Sequence, residues 1–91
     1  MNVFRSKKFE KSLKKVLSGG KVRLNEVEKT IKMLADGQKV LVKYKDHPLK
    51  GEWKGYRECN IRPDVLLIYQ KHEDKLILVL IDIGSHSELF S

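Results

Sequence analysis

The sequence predicts an α+β fold in which two helices are followed by three strands and lie on one face of a mostly antiparallel sheet. Three observations carry this reading. Residues before Gly37 hold two stretches with apolar side chains at helical spacing. From Gly55 onward, three apolar runs are joined by "RPD" and "KHED", short enough for hairpins. Hydrophobic residues make up 41% of the chain, enough for a packed core and too many for a disordered chain.

Asn2 to Arg5 reads as a short strand. A helix then begins, with Ser6 as N-cap and Gly19-Gly20 as its stop. Its apolar residues Phe9, Leu13, Val16 and Leu17 cover an arc of about 100°, and Lys7, Lys8, Lys11, Lys14 and Lys15 cover about 120° of the opposite face. That basic face is either a solvated surface or a rail for an anionic partner. The second helix spans Val22 to Ala35, with Leu24, Val27, Ile31 and Leu34 stepping along one face and Gly37 ending it. The short break between the helices predicts an antiparallel pair. Gln38 to Glu52 shows no clear period and reads as loop. The strands follow at Gly55 to Ile61, Asp64 to Gln70 and Lys75 to Ile83, giving the order β-α-α-β-β-β. "VLLIY" and "LILVLI" are apolar on both faces, which marks central strands. The helices cover only one face, so a loop or a partner chain must cover part of the other.

A chain of 91 residues is one small domain. Lys plus Arg number 19 against 12 for Asp plus Glu, a net charge of +7. Such an excess favours an anionic partner: nucleic acid, an acidic protein or a membrane surface. No apolar run is long enough to span a bilayer, and "MNVFRSKKFEKSLKK" has no signal-peptide character. The single cysteine, Cys59, excludes an intrachain disulfide and a Cys-based zinc module, and fits a reducing cytoplasm.

His47, His72 and His86 are the side chains of a type that titrates near neutrality. His72 lies in the charged turn "QKHEDK" and reads as solvent-exposed. His47 precedes Pro48 in the irregular stretch, and His86 follows the last strand; both are loop positions, where functional groups concentrate. No HExxH, paired cysteines, EF-hand loop, phosphate-binding loop or GxSxG elbow is present, so no metal site is expected. Two histidines, an acid and a basic surface suit metal-free RNA cleavage. That reaction needs a base for the 2′-hydroxyl, an acid for the departing 5′-oxygen and cations for the phosphoryl charge. Trp53 and Tyr56 either stack on bases or pack the sheet, and Lys54 and Arg57 stand beside them.

"YKDHPLKGEWKGYREC", "IRPDVLLIYQ" and the closing "GSHSELF" together resemble the YafQ branch of the RelE/ParE superfamily of bacterial toxins. The resemblance spans roughly Tyr44 to Phe90, and the two-helix N-terminal half agrees in layout. It implies a small RelE-like fold and a cytoplasmic toxin that cuts messenger RNA on the ribosome without a cofactor. It further implies inhibition by a DinJ/RelB-like antitoxin with an acidic flexible segment.

Carried over by position, the resemblance implies catalytic roles for His47, Glu58, Asp64 and His86. It places Phe90 against the RNA substrate; Trp53, Lys54 and Arg57 in "YKDHPLKGEWKGYREC" are further candidates for substrate contact, and Asn60 can hydrogen-bond a phosphate. Two positions depart from the branch pattern. "ECNI" puts Asn60 where a histidine is usual, and Asp82 stands where an arginine is usual two residues before the Gly of "GSH". Arg57 or Lys54 would then have to supply the missing cation. The alternatives are a ParE-like toxin that blocks a protein target and a plain basic RNA-binding domain.

Overall fold

The computed structural model describes residues 1–37 and 42–90, so the part of the expected loop from 38 to 41 lies outside the described residues. Strand β1 (Asn2–Arg5) leads into helix α1 (Lys7–Ser18) through Ser6. Ser6 Oγ accepts the Phe9 N–H at 3.0 Å and donates to the Ile81 carbonyl at 2.9 Å. One hydroxyl thus caps the helix and pins its start to the sheet. Phe9, Leu13 and Val16 are buried, and the five lysines of the opposite face are exposed, as the spacing predicts.

Helix α2 (Leu24–Ala35) starts two residues later than the periodicity indicates. Glu26 Oε1 accepts the Arg23 N–H at 3.1 Å, which fixes the start of the helix at Leu24. Leu24 is consequently 50% exposed, whereas Val22, ahead of the helix, is buried at 4%. Both helices touch the sheet more than each other, so the expected helix pair is a pair of lids on strands.

The remaining strands are β2 (His47–Pro48), β3 (Arg57–Arg62), β4 (Val65–His72) and β5 (Ile77–Gly84), in the spatial order β1-β5-β4-β3-β2. β1 runs parallel to β5 and every other pair is antiparallel. The expected order therefore gains β2 and a terminal helix α3 (His86–Phe90). Two residues are too few to show a strand period. Pro48, which has no N–H to donate, suits the sheet edge it occupies. α3 is also too short for periodicity, but "SHSE" carries a capping box. Ser85 N–H donates to Glu88 Oε1 at 2.8 Å, and Glu88 N–H donates to Ser85 Oγ at 3.2 Å.

The main core lies between helices and sheet, with Phe9, Val27 and Leu34 facing Leu67, Leu78 and Leu80. Leu66 and Ile68 are buried as well, at 4% and 0%, on the sheet's other face. α3 packs against β5, its Leu89 over Gly84. Cover beyond the two N-terminal helices thus comes in part from a helix of the same chain. Cys59 is fully buried, and burial, with Asp46 and Glu58 nearby, pushes its thiol up to about 12. Such a thiol stays protonated and inert near neutrality. Among the described residues, no helix is long and apolar enough to cross a membrane.

Candidate active site

Neighbouring residues of a strand point to opposite faces. On β3 this separates Arg57 from Glu58. Arg57 turns toward Tyr69, a member of the main core, and Glu58 faces a cleft on the other side. The cleft, with a volume of about 410 Å³, is lined by His47, Leu49, Lys50, Trp53, Glu58, His86 and Phe90.

β2 delivers His47 by pairing it directly with Glu58. The residue before it, Asp46, is anchored on the opposite face. Its carboxylate accepts from Arg57 Nη2 at 2.9 Å and from the Tyr69 hydroxyl. Hydrogen bonding to Asp46 raises the Arg57 pKa above its already high ordinary value. Burial, then the Asp46 carboxylate, pushes the Tyr69 hydroxyl above its ordinary range and keeps it a donor. His47 Nε2 lies 3.4 Å from Glu58 Oε1, and its Nδ1 lies 3.1 Å from the Pro48 carbonyl oxygen. Both ring nitrogens thus face acceptors. Glu58 is buried at 8%, while half of the His47 side chain remains in solvent.

α3 brings the opposing wall. His86, its first residue, is exposed, with its ring 5.0 Å from that of Phe90. Phe90 meets Trp53 edge-on at 5.5 Å, and Trp53 meets Tyr56 edge-on at 5.3 Å. Glu88 ties the helix down through both oxygens. Oε1 takes the Ser85 N–H, and Oε2 lies 3.3 Å from Lys15 Nζ on α1. The Ser85 backbone, then its hydroxyl, then Lys15 hold the Glu88 carboxyl down at about 2.

Of the residues marked in the sequence, His47, Trp53, Glu58, His86 and Phe90 meet in this cleft. The others stand elsewhere. Arg57 is on the far face, bound to Asp46, because it is one residue out of phase with Glu58. Lys54 is exposed beyond the turn at Gly51–Trp53. Asn60 donates to the Pro63 carbonyl at 3.4 Å and lines a separate groove with Lys29, Tyr44 and Arg62. Asp64 is exposed on the β3–β4 turn, where its charge acts on Arg62 and no hydrogen bond joins it to either histidine among the described residues. Asp82 is buried at 6%, accepts the Ile83 N–H and lies 3.5 Å from Lys8 Nζ. Lys50 is the cation of the cleft that sequence reasoning passed over. Its one signal was its closeness to His47 in an extended segment. Among the described residues, no group of three or more His, Cys, Asp or Glu side chains is placed to hold a metal ion.

The fold is shared with known proteins. Residues 1–91 match the family described as "Bacterial toxin of type II toxin-antitoxin system, YafQ". The mRNA interferase toxin YafQ of Escherichia coli K12 is 55% identical over 47 residues, which cover 52% of this chain and 49% of that protein. The match thus spans about half the length of that curated relative. A metal-bound toxin from Helicobacter pylori superposes with a TM-score of 0.90 at 46% identity, covering 99% of both chains. YafQ from E. coli BL21(DE3) superposes with a TM-score of 0.91 at 28% identity, over 99% of this chain and 98% of that one. A YafQ fold solved within the E. coli DinJ–YafQ complex gives a TM-score of 0.88 at 30% identity, covering 99% of this chain and 98% of that one. With residues 1–91 matched by the family and the fold superposing over 99% of the chain, the chain belongs to the YafQ family of bacterial type II toxins.

Proposed function

We propose that the chain is an endoribonuclease toxin that cuts messenger RNA by metal-independent acid–base catalysis. The observation that carries this is the cleft itself. His47, backed by Glu58, and His86 line one cavity with a row of aromatic rings. His86 takes the proton of a 2′-hydroxyl, whose oxygen attacks the adjacent phosphorus. The bond from phosphorus to the 5′-oxygen breaks, and His47 donates a proton to that leaving oxygen. The products are a 2′,3′-cyclic phosphate and a free 5′-hydroxyl. Glu58 holds the His47 ring from Nε2, and the Nδ1–H that otherwise meets the Pro48 carbonyl is the proton passed to the leaving oxygen. Glu58 orients His47, while Asp64 stands exposed on the β3–β4 turn. Lys50 stabilises the phosphoryl charge, and Trp53 and Phe90 present ring surfaces to the bases.

Ribosome dependence is part of the proposal, supported by the net charge of +7 and the exposed lysine face of α1. The test is to incubate the chain with a translated message, with and without ribosomes and with a chelator present. Cuts within the translated frame, dependent on ribosomes and indifferent to the chelator, are expected. Cleavage abolished by the chelator would refute the metal-independent route.

An acidic antitoxin completes the reading, because the same fold is solved in the DinJ–YafQ complex. A flexible acidic segment would meet a complementary basic surface and order on binding. Co-expression with the small protein encoded beside the gene is expected to give a complex that survives gel filtration. Separate elution of the two proteins would count against the partner.

A further inference from the structure

Two lysines of the basic face of α1 are anchored, Lys8 beside Asp82 of β5 and Lys15 beside Glu88 of α3. Lys7, Lys11 and Lys14 make no ion pair among the described residues, whereas Lys15 reaches α3 and meets Glu88 at 3.3 Å. Glu88 is the residue that closes the capping box of α3, and α3 carries both His86 and Phe90 into the cleft. A helix of five residues is not stable alone and depends on such tethers. We propose that Lys15 is a positioning residue. Through Glu88 it docks α3 and so sets where the His86 imidazole and the Phe90 ring stand, without touching substrate itself. The proposal rests on the nuclease reading for its catalytic consequence, but its structural half is independent of it.

The test uses the one tryptophan of the chain. Trp53 touches Phe90 edge-on, so its emission and its quenching by iodide report whether α3 is docked. Lys15→Met is expected to red-shift the emission and increase quenching, and to lower kcat about two- to fivefold, the size of an exposed ion pair. Lys14→Met, which removes the same charge from the same face, should leave the Trp53 emission unchanged. Lys15→Arg should restore both emission and kcat. In a Glu88→Gln background, Lys15→Met should have no further effect on emission, because the partner is already gone. Equal Trp53 signals in the parent, Lys15→Met and Lys14→Met proteins would overturn the proposal. Were the parent to cleave no RNA, the nuclease reading would fail while the fluorescence series still decided whether Lys15 docks α3.

Discussion

Replacing His86 or His47 with alanine is expected to lower RNA cleavage at least about 100-fold each, with binding to RNA or ribosomes nearly intact. The size follows from the usual contribution of a positioned general acid or base, about 100- to 10,000-fold. The two side chains line one cleft from different elements, β2 and α3, so each loss leaves the other wall standing. Because both act in one proton-transfer sequence, the double variant should be far less impaired than the product of the singles predicts. His72→Ala is the control: that ring is exposed at the far end of β4, and its loss should change nothing. Single-turnover cleavage of a labelled message on ribosomes gives the rates. Histidine variants as active as the parent would remove the acid–base mechanism. If they also remained toxic in cells, a ParE-like block of a protein target would become the better account.

Asp46→Ala should strike both stability and activity. Tyr69 is 1% exposed, and its hydroxyl donates to Asp46, as does the half-exposed Arg57 guanidinium. Removing the carboxylate strands a buried hydroxyl and breaks a charge-assisted bond, costing about 2–3 kcal/mol. In a domain of this size that corresponds to a fall of roughly 10–20 °C in Tm. The catalytic consequence is separate, because Asp46 fixes the backbone that presents His47 to Glu58. Cleavage measured well below the lowered Tm should still be reduced about 10-fold or more, since a misplaced catalytic group loses much of its effect. Asp46→Asn keeps an acceptor for Tyr69 and should recover part of the stability. A thermal melt within about 2 °C of the parent for Asp46→Ala would show that the network carries no such load.

How much of this could be read beforehand depended on the length of each signal. α1 and α2 repeat their apolar stripe over three turns, and β4 and β5 carry unbroken apolar runs, so the α+β class was legible from pattern alone. β2 and α3 are too short for any period, although Ser85 and Glu88 spelled out a cap. The site was legible where resemblance named residues on one face: His47, Glu58 and His86. It was illegible where one residue of phase mattered. Arg57 is adjacent to Glu58 in sequence and across the sheet from it in space. Asp64 and Asn60 sit at the turn and groove end of β3, where a register shift between Asn60 and Arg62 alters the strand's course. Lys15 meets Glu88 through a tertiary contact that no local spacing encodes.

The parallel pairing of β1 with β5 sets an order on folding. β1 finds its sheet partner only in β5, made much later, with Asn2 against Ile77 through Arg5 against Leu80. Closing so long a loop is slow compared with forming the helices or the β3–β4 hairpin. A ribosome that has made the helices and the β3–β4 hairpin therefore holds a chain whose edge strand waits unpaired and whose α3 does not yet exist. His86 and Phe90 arrive after every strand has been made. A nascent copy thus acquires its opposing cleft wall only after β5 has been made, and a chain cut short before α3 is left without it.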